Sequence, residues 1–82
     1  MAVVLLPGLL ATEAGGQARF DIEAATVGEA LQALPVRDLV LDERGEVRTL
    51  VHVYLDGERA RDLTAAVTAT SRIRIVAAIA GG

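Results

Sequence analysis

The chain has no cysteine and no lysine, one histidine, and only two aromatic residues, Phe20 and Tyr54. Without cysteine there is no disulfide framework, no thiolate metal site and no thiol nucleophile, and the composition fits a reducing cytosol. All eight basic residues are arginine, so the N-terminus is the only primary amine and the chain has no internal site for isopeptide linkage to its own kind. So few aromatics leave the core to Leu, Val and Ile, because much of the 52% hydrophobic content is alanine. No stretch approaches the ~18 apolar residues that a membrane helix needs. The net charge of −3 argues against a nucleic-acid footprint, which needs clustered positive charge. Neither a membrane nor a nucleic acid is expected as a partner.

Eighty-two residues make one domain, with a core near the lower limit for folding without disulfides or metals. The opening segment MAVVLLPGLLATEA has no basic residue ahead of its apolar run, and Pro7 interrupts that run. It reads as a first core strand rather than a secretory signal, and the protein is expected to be soluble and cytoplasmic.

Ala2 to Leu6 is a Val- and Leu-rich run that stops at Pro7-Gly8, a strand meeting a turn. Leu9 to Ala14 has room for about one and a half helical turns before Gly15-Gly16. Gln17 to Glu23 then alternates, with Ala18, Phe20 and Ile22 on one side, which predicts a half-buried strand. Thr26-Val27-Gly28-Glu29 has the form of a capping box, and Val27, Ala30, Leu31 and Leu34 give the apolar stripe of a helix that Pro35 ends. Residues 36–45 read mostly as loop, with Leu39, Val40 and Leu41 as anchors and a turn at Arg44-Gly45. Alternation returns from Val47 to Leu55, with Arg48, Leu50, His52 and Tyr54 on the outer side, and Asp56-Gly57 is the turn after it. A polar connection and an undefined stretch over 63–71 lead to a last strand, Arg72 to Ala78, which carries Ile73 and Ile75 inward. One good helix against a mixed sheet of four to five strands is an α+β fold in two layers. The last strand is expected to deliver the tail to the sheet edge.

The residues that usually carry catalysis form no constellation. His52 has no second ligand near it, so a surface role is favoured over a metal site, and no metal is expected. Asp38, Asp42, Glu43, Glu46, Asp56, Glu58 and Asp62 are interleaved with arginines around turns, which suits a solvated acidic rim better than an acid/base pair. Ser71 is the lone serine and has no local base, and Gly15-Gly16 is a turn rather than a phosphate loop. The chain is therefore not expected to be an enzyme. What remains is the end, Gly81-Gly82, which places a carboxylate on a thread without side chains. Taken alone it reads equally as a reactive terminus or as a frayed end.

Four stretches together resemble the ubiquitin-like sulfur-carrier family, which includes the molybdopterin synthase small subunit and the thiamin and cysteine-synthase sulfur carriers. They are Thr26–Leu34 (TVGEALQAL), Val47–Glu58 (VRTLVHVYLDGE), Arg72–Val76 (RIRIV) and Ala78–Gly82 (AIAGG). The resemblance implies a ubiquitin-like β-grasp domain over residues 1–78 and a C-terminal Gly-Gly tail over 79–82. It further implies that Gly82 is adenylated by an E1-like partner at the expense of ATP and converted to a thiocarboxylate, which a sulfur-accepting synthase consumes. Ile79, Ala80 and Gly81 would thread the partner, and no cofactor would be bound. The central segment is more similar to the cysteine and molybdopterin carriers than to the thiamin type. The chain departs from the family where relatives carry an acidic, glycine-containing turn and this one has Thr68-Ala69-Thr70-Ser71.

The outward residues Leu50, His52 and Tyr54, with Arg72, Arg74 and Val76, read either as a docking surface beside the tail or as an ordinary sheet face partly covered by the 36–45 loop. Three functions follow: a sulfur carrier; a protein modifier that forms isopeptide bonds through the same tail; and a β-grasp binding module whose Gly-Gly end is incidental.

Overall fold

A computed structural model of the chain describes residues 1–77. The expected tail, Ile79, Ala80, Gly81 and Gly82, lies outside the described residues, as does Ala78, the expected end of the last strand. Eight elements follow in order: β1 (Ala2–Leu5), α1 (Gly8–Glu13), β2 (Arg19–Ile22), α2 (Val27–Gln32), α3 (Arg37–Val40), β3 (Val51–Leu55), β4 (Glu58–Arg59) and β5 (Arg72–Ala77). The five strands form one sheet in the order β2-β1-β5-β3-β4. β1 and β5 are parallel and every other neighbouring pair is antiparallel, which is the β-grasp arrangement.

The helix α2 starts where the capping box predicts. Glu29 N–H donates to Thr26 Oγ1 at 3.2 Å, and the Glu29 carboxylate reaches back to accept Ala25 N–H at 3.1 Å. Two further N–H groups of the first turn, which no helix can satisfy from within, donate to the connection that follows β4. Val27 N–H reaches Ala65 O at 3.0 Å and Gly28 N–H reaches Leu63 O at 2.8 Å. A Cβ at position 28 would stand 3.2 Å from Leu63 O, so any other residue would press the two backbones apart by a few tenths of an ångström. Residues 63–71, undefined in the sequence, thus lie against the start of α2, and Thr26 and Ala66 form a bridge there.

The stripe Val27, Ala30, Leu31 and Leu34 is buried in full, in one core with Ala2 and Val4 of β1, Ile22 of β2, Val51 and Val53 of β3, and Ile73 and Ile75 of β5. Of the three residues expected inward on the second strand only Ile22 is fully buried. Phe20 is half-buried, and Ala18 is exposed ahead of the strand.

β5 is the central strand, between β1 and β3, because it pairs on both sides, and the place to which it delivers the tail lies outside the described residues. Two details differ from the expectations. Residues 36–45 are not mostly loop, since they hold α3 and a bridge from Leu41 to Val47. Val40 and Leu41 anchor that segment as expected, whereas Leu39 stays 44% exposed. The strand predicted from Val47 begins only at Val51. Arg48 N–H donates to Val40 O, Arg48 Nε to Asp38 O, and Val51 N–H to Arg48 O, so long-range bonds to α3 turn the chain before the sheet takes it up. Asp42 closes the neighbouring turn, accepting from Arg44 N–H and Glu46 N–H; the Glu46 bond above all holds its carboxyl below the usual range.

The segment Thr68–Ser71 closes as a turn without an acidic residue or a glycine. Ser71 N–H donates to Thr68 O at 3.1 Å, and Thr68 N–H donates to Ser71 Oγ at 2.8 Å. Ser71 is the one buried polar side chain among the described residues, and its carbonyl receives Val3 N–H at the start of the β1–β5 pairing. Replacing Ser71 by alanine strips the Thr68 amide of its acceptor. It is expected to cost about 1–2 kcal/mol, lowering the melting temperature by about 4–8 °C per kcal/mol in thermal unfolding. An unchanged midpoint would show that the hydroxyl is dispensable.

Candidate functional site

The strand alternation that buries Val51, Val53, Ile73 and Ile75 turns their neighbours to the other face of the sheet, away from the core to which all three described helices contribute. The register joins them across the central strands: His52 stands opposite Val76, and Tyr54 opposite Arg74. Such directly opposed pairs are the contacts that define a sheet face. Tyr54, Arg72, Arg74 and Val76, with Leu5 of β1, line one shallow depression that ends at the Asp56-Gly57 turn.

That turn is built for its place. Asp56 and Gly57 both have positive φ, 50° and 88°, as the tightest hairpin turn requires. Asp56 also fastens β3 to β5: its N–H donates to Arg72 O, and its carboxylate accepts Arg72 N–H, both at 2.8 Å. The backbone of Arg72 is therefore held from one side while its guanidinium stays exposed.

Of the six residues expected to form a docking surface, Tyr54, Arg72, Arg74 and Val76 share this depression. His52 lies on the same face, half-buried, and its Nδ1 is shielded from solvent without a hydrogen-bond partner. Leu50 stands apart. It sits in the turn before β3, 56% exposed, in a second apolar depression with Leu9 of α1, Leu39 of α3 and Ala77 at the end of β5. The 36–45 segment therefore neighbours Leu50 and leaves the Tyr54 depression open.

Reasoning from sequence missed Leu5, Leu9 and Arg59. Leu5 and Arg59 reach the face through pairings, Leu5 with Arg74 and Arg59 with Tyr54, that no local pattern announces. β1 is apolar throughout, so no alternation in its sequence marks Leu5; the half-burial of Val3 and Leu5 beside buried Ala2 and Val4 shows only in the fold.

No group of three or more His, Asp or Glu side chains among the described residues is placed to hold a metal ion. No helix among them is long and apolar enough to cross a membrane. Three carboxylates of the acidic stretch close turns: Asp62 accepts from Thr64 Oγ1 and Thr64 N–H, which hold its carboxyl below the usual range, and Asp42 and Asp56 accept backbone N–H groups in theirs. Chemistry at this face would consist of binding, with shape and charge supplied by Tyr54, Val76, Leu5 and the arginines.

The sequence matches the model of the ThiS family over residues 4–82. No curated protein matches it. Among solved structures, SAMP1 from Haloferax volcanii is 31% identical with a TM-score of 0.78, over 99% of this chain and 98% of that one. A chain of the Amycolatopsis orientalis BexX/CysO complex is 26% identical with a TM-score of 0.83, and the match covers both chains in full. CysO from Mycobacterium tuberculosis has a TM-score of 0.85 at 21% identity, over 96% of this chain and all of that one, a likeness of fold. With a family pattern that runs from the first strand through residue 82, and a relative 31% identical almost end to end, this chain belongs to the ThiS family of ubiquitin-like sulfur carriers.

Proposed function

We propose that the chain carries sulfur as a thiocarboxylate on Gly82, for a synthase of the cysteine or molybdopterin type. The observation that carries this reading is the extent of the family match, which includes the Gly81-Gly82 end. A carboxylate is a poor acyl electrophile, so a partner enzyme of the E1-like, adenylating kind first joins it to AMP, with pyrophosphate leaving ATP. A sulfur nucleophile then attacks the acyl carbon; the C–S bond forms as the bond to AMP breaks. The chain supplies no catalytic group and binds no cofactor; it presents the carboxylate and a face by which partners hold it. The pairing of CysO with BexX in the Amycolatopsis complex supports a protein partner for such a carrier.

The intact mass of the protein from its native host, kept non-reducing and amine-free, tests this. The expected result is one C-terminal oxygen replaced by sulfur. A carboxylate that stays unmodified after incubation with ATP, a sulfur donor and the host's adenylating enzyme would end the carrier reading.

The docking face is expected to be Tyr54, His52, Val76, Arg72 and Arg74, with Leu50 at its margin. Tyr54 is half-buried on a face outside the core, so Tyr54→Glu is expected to leave the melting temperature within a few degrees. It should weaken binding to the adenylating enzyme about 30-fold, the loss of one interface anchor of about 2 kcal/mol. Calorimetric titration that found unchanged affinity would retire this face.

A second reading has its own support: SAMP1, the 31%-identical relative, is by name a small archaeal modifier protein. In that role Gly82 forms isopeptide bonds on lysines of other proteins, and the lysine-free chain ends each conjugate at one copy. Mass-shifted conjugates in host extracts would distinguish it from a pure carrier.

A further inference from the structure

We propose that the uncovered sheet face is shaped for an acidic protein surface with an apolar centre, and that charge attraction governs how fast that partner arrives. The inference deepens the docking reading above and rests on it for the partner's identity. The register sets Arg19, Leu5, Arg74, Tyr54 and Arg59 opposite one another in a single row across all five strands. Cation, aliphatic, cation, aromatic and cation thus alternate from one edge of the sheet to the other. Arg72 stands in the next row, opposite Val3.

This face holds half of the eight arginines but only two of the eleven carboxylates, Asp21 and Asp56. Both are already engaged. Asp21 lies 3.5 Å from Arg19, and Asp56 accepts the Arg72 backbone N–H. Among the described residues no carboxylate pairs with Arg59, Arg72 or Arg74, and all three are exposed. Glu23 follows in line with Asp21 just past the end of β2, and Glu58, opposite Leu55, belongs to the other side, so arginines outnumber carboxylates on the open sheet of a chain whose net charge is −3. Such a distribution orients a molecule in a partner's field before contact. The apolar members of the row favour a protein partner, because interface cores are built from buried apolar and aromatic groups with arginine among them. A nucleic acid would need several stacking rings and a cationic domain, whereas Tyr54 is the one aromatic residue of the row.

Stopped-flow association with the host's adenylating enzyme at low and high salt tests the proposal. For Arg72→Glu/Arg74→Glu the rate constant at low salt is expected to fall about 10-fold or more and to lose its salt dependence. Arg37→Glu/Arg44→Glu, on α3 and in the 42–46 turn and with the same change in net charge, is expected to stay within about threefold of the parent. Equal effects from the two pairs would overturn the proposal, as would a parent rate indifferent to salt. Should the Glu pair fail to fold, Arg72→Gln/Arg74→Gln carries the comparison with a smaller loss.

A second measurement does not depend on the carrier reading. An acidic peptide containing Leu and Trp is titrated into isotope-labelled protein and followed by NMR. Shifts confined to the face, Leu5, Arg19, Tyr54, Arg59, Arg72, Arg74 and Val76, support the proposal, and shifts elsewhere or none overturn it. A single-stranded oligonucleotide of equal charge that binds the same face more tightly than the peptide overturns the choice of partner. If no thiocarboxylate forms on Gly82, the carrier reading falls and the titration alone decides this inference.

Discussion

Gly82→Ala is expected to suppress thiocarboxylation by about 100-fold or more while leaving the melting temperature unchanged. The two halves of that result have separate causes. Among the described residues the last member of the core is Ile75, seven positions before Gly82 in the chain, so the substitution leaves every described core residue as it is. The proposed reaction, by contrast, takes place at the acyl carbon of the last residue. A methyl group there narrows the accessible backbone conformations and widens the thread. Misplacing a reacting centre by about 1 Å can cost about 10²-fold in rate. Five residues past Ala77 have a maximum extended reach of about 18 Å, which bounds how far from the end of β5 an adenylating site can receive the acyl carbon. Intact-mass analysis after incubation with the adenylating enzyme, ATP and a sulfur donor reads the chemistry, and thermal unfolding reads the fold. Full thiocarboxylation of the variant would sink the requirement for glycine at the terminus.

What the sequence discloses of this fold is what local contacts decide. The start of α2 is legible because Thr26 and Glu29 bond within four residues, and the 56–57 turn because Asp-Gly takes up positive φ. The inward pair Ile73 and Ile75 follows from alternation alone. Residues 47–50 show how the same signal misleads. They continue the alternation of β3, yet Arg48 is claimed by Val40 and Asp38, ten residues or so away in the chain, and the strand starts late. The central place of β5 is invisible for a similar reason, since it depends on pairing with a strand at the opposite end of the sequence. The candidate site divides along the same line. Tyr54, Arg72, Arg74 and Val76 were readable as outward residues of two strands. The row that joins them to Leu5, Arg19 and Arg59 exists only once five strands are in register.

The largest loss of stability is expected from Leu31→Ala. Leu31 is fully buried at the middle of the α2 stripe, and that stripe is what covers the inner face of the sheet. Truncating such a leucine removes its transfer free energy and leaves a cavity, together about 2–5 kcal/mol. A domain of this size has about 4–12 kcal/mol in all, so the midpoint should fall by roughly 10–30 °C, at about 4–8 °C per kcal/mol. Leu39→Ala is the control: the same atoms are removed from a side chain 44% exposed on α3, and the midpoint should barely move. Equal shifts for the two variants would mean that α2 does not close the core. The comparison also bears on function. A carrier needs its domain only to hold the face and point the tail, so below its lowered midpoint the Leu31→Ala protein should still accept sulfur at the parent rate. The Gly82→Ala protein, fully folded, should not. Stability and transfer would then be shown to reside in different parts of the chain, the first in residues 2–75 and the second in the last two glycines.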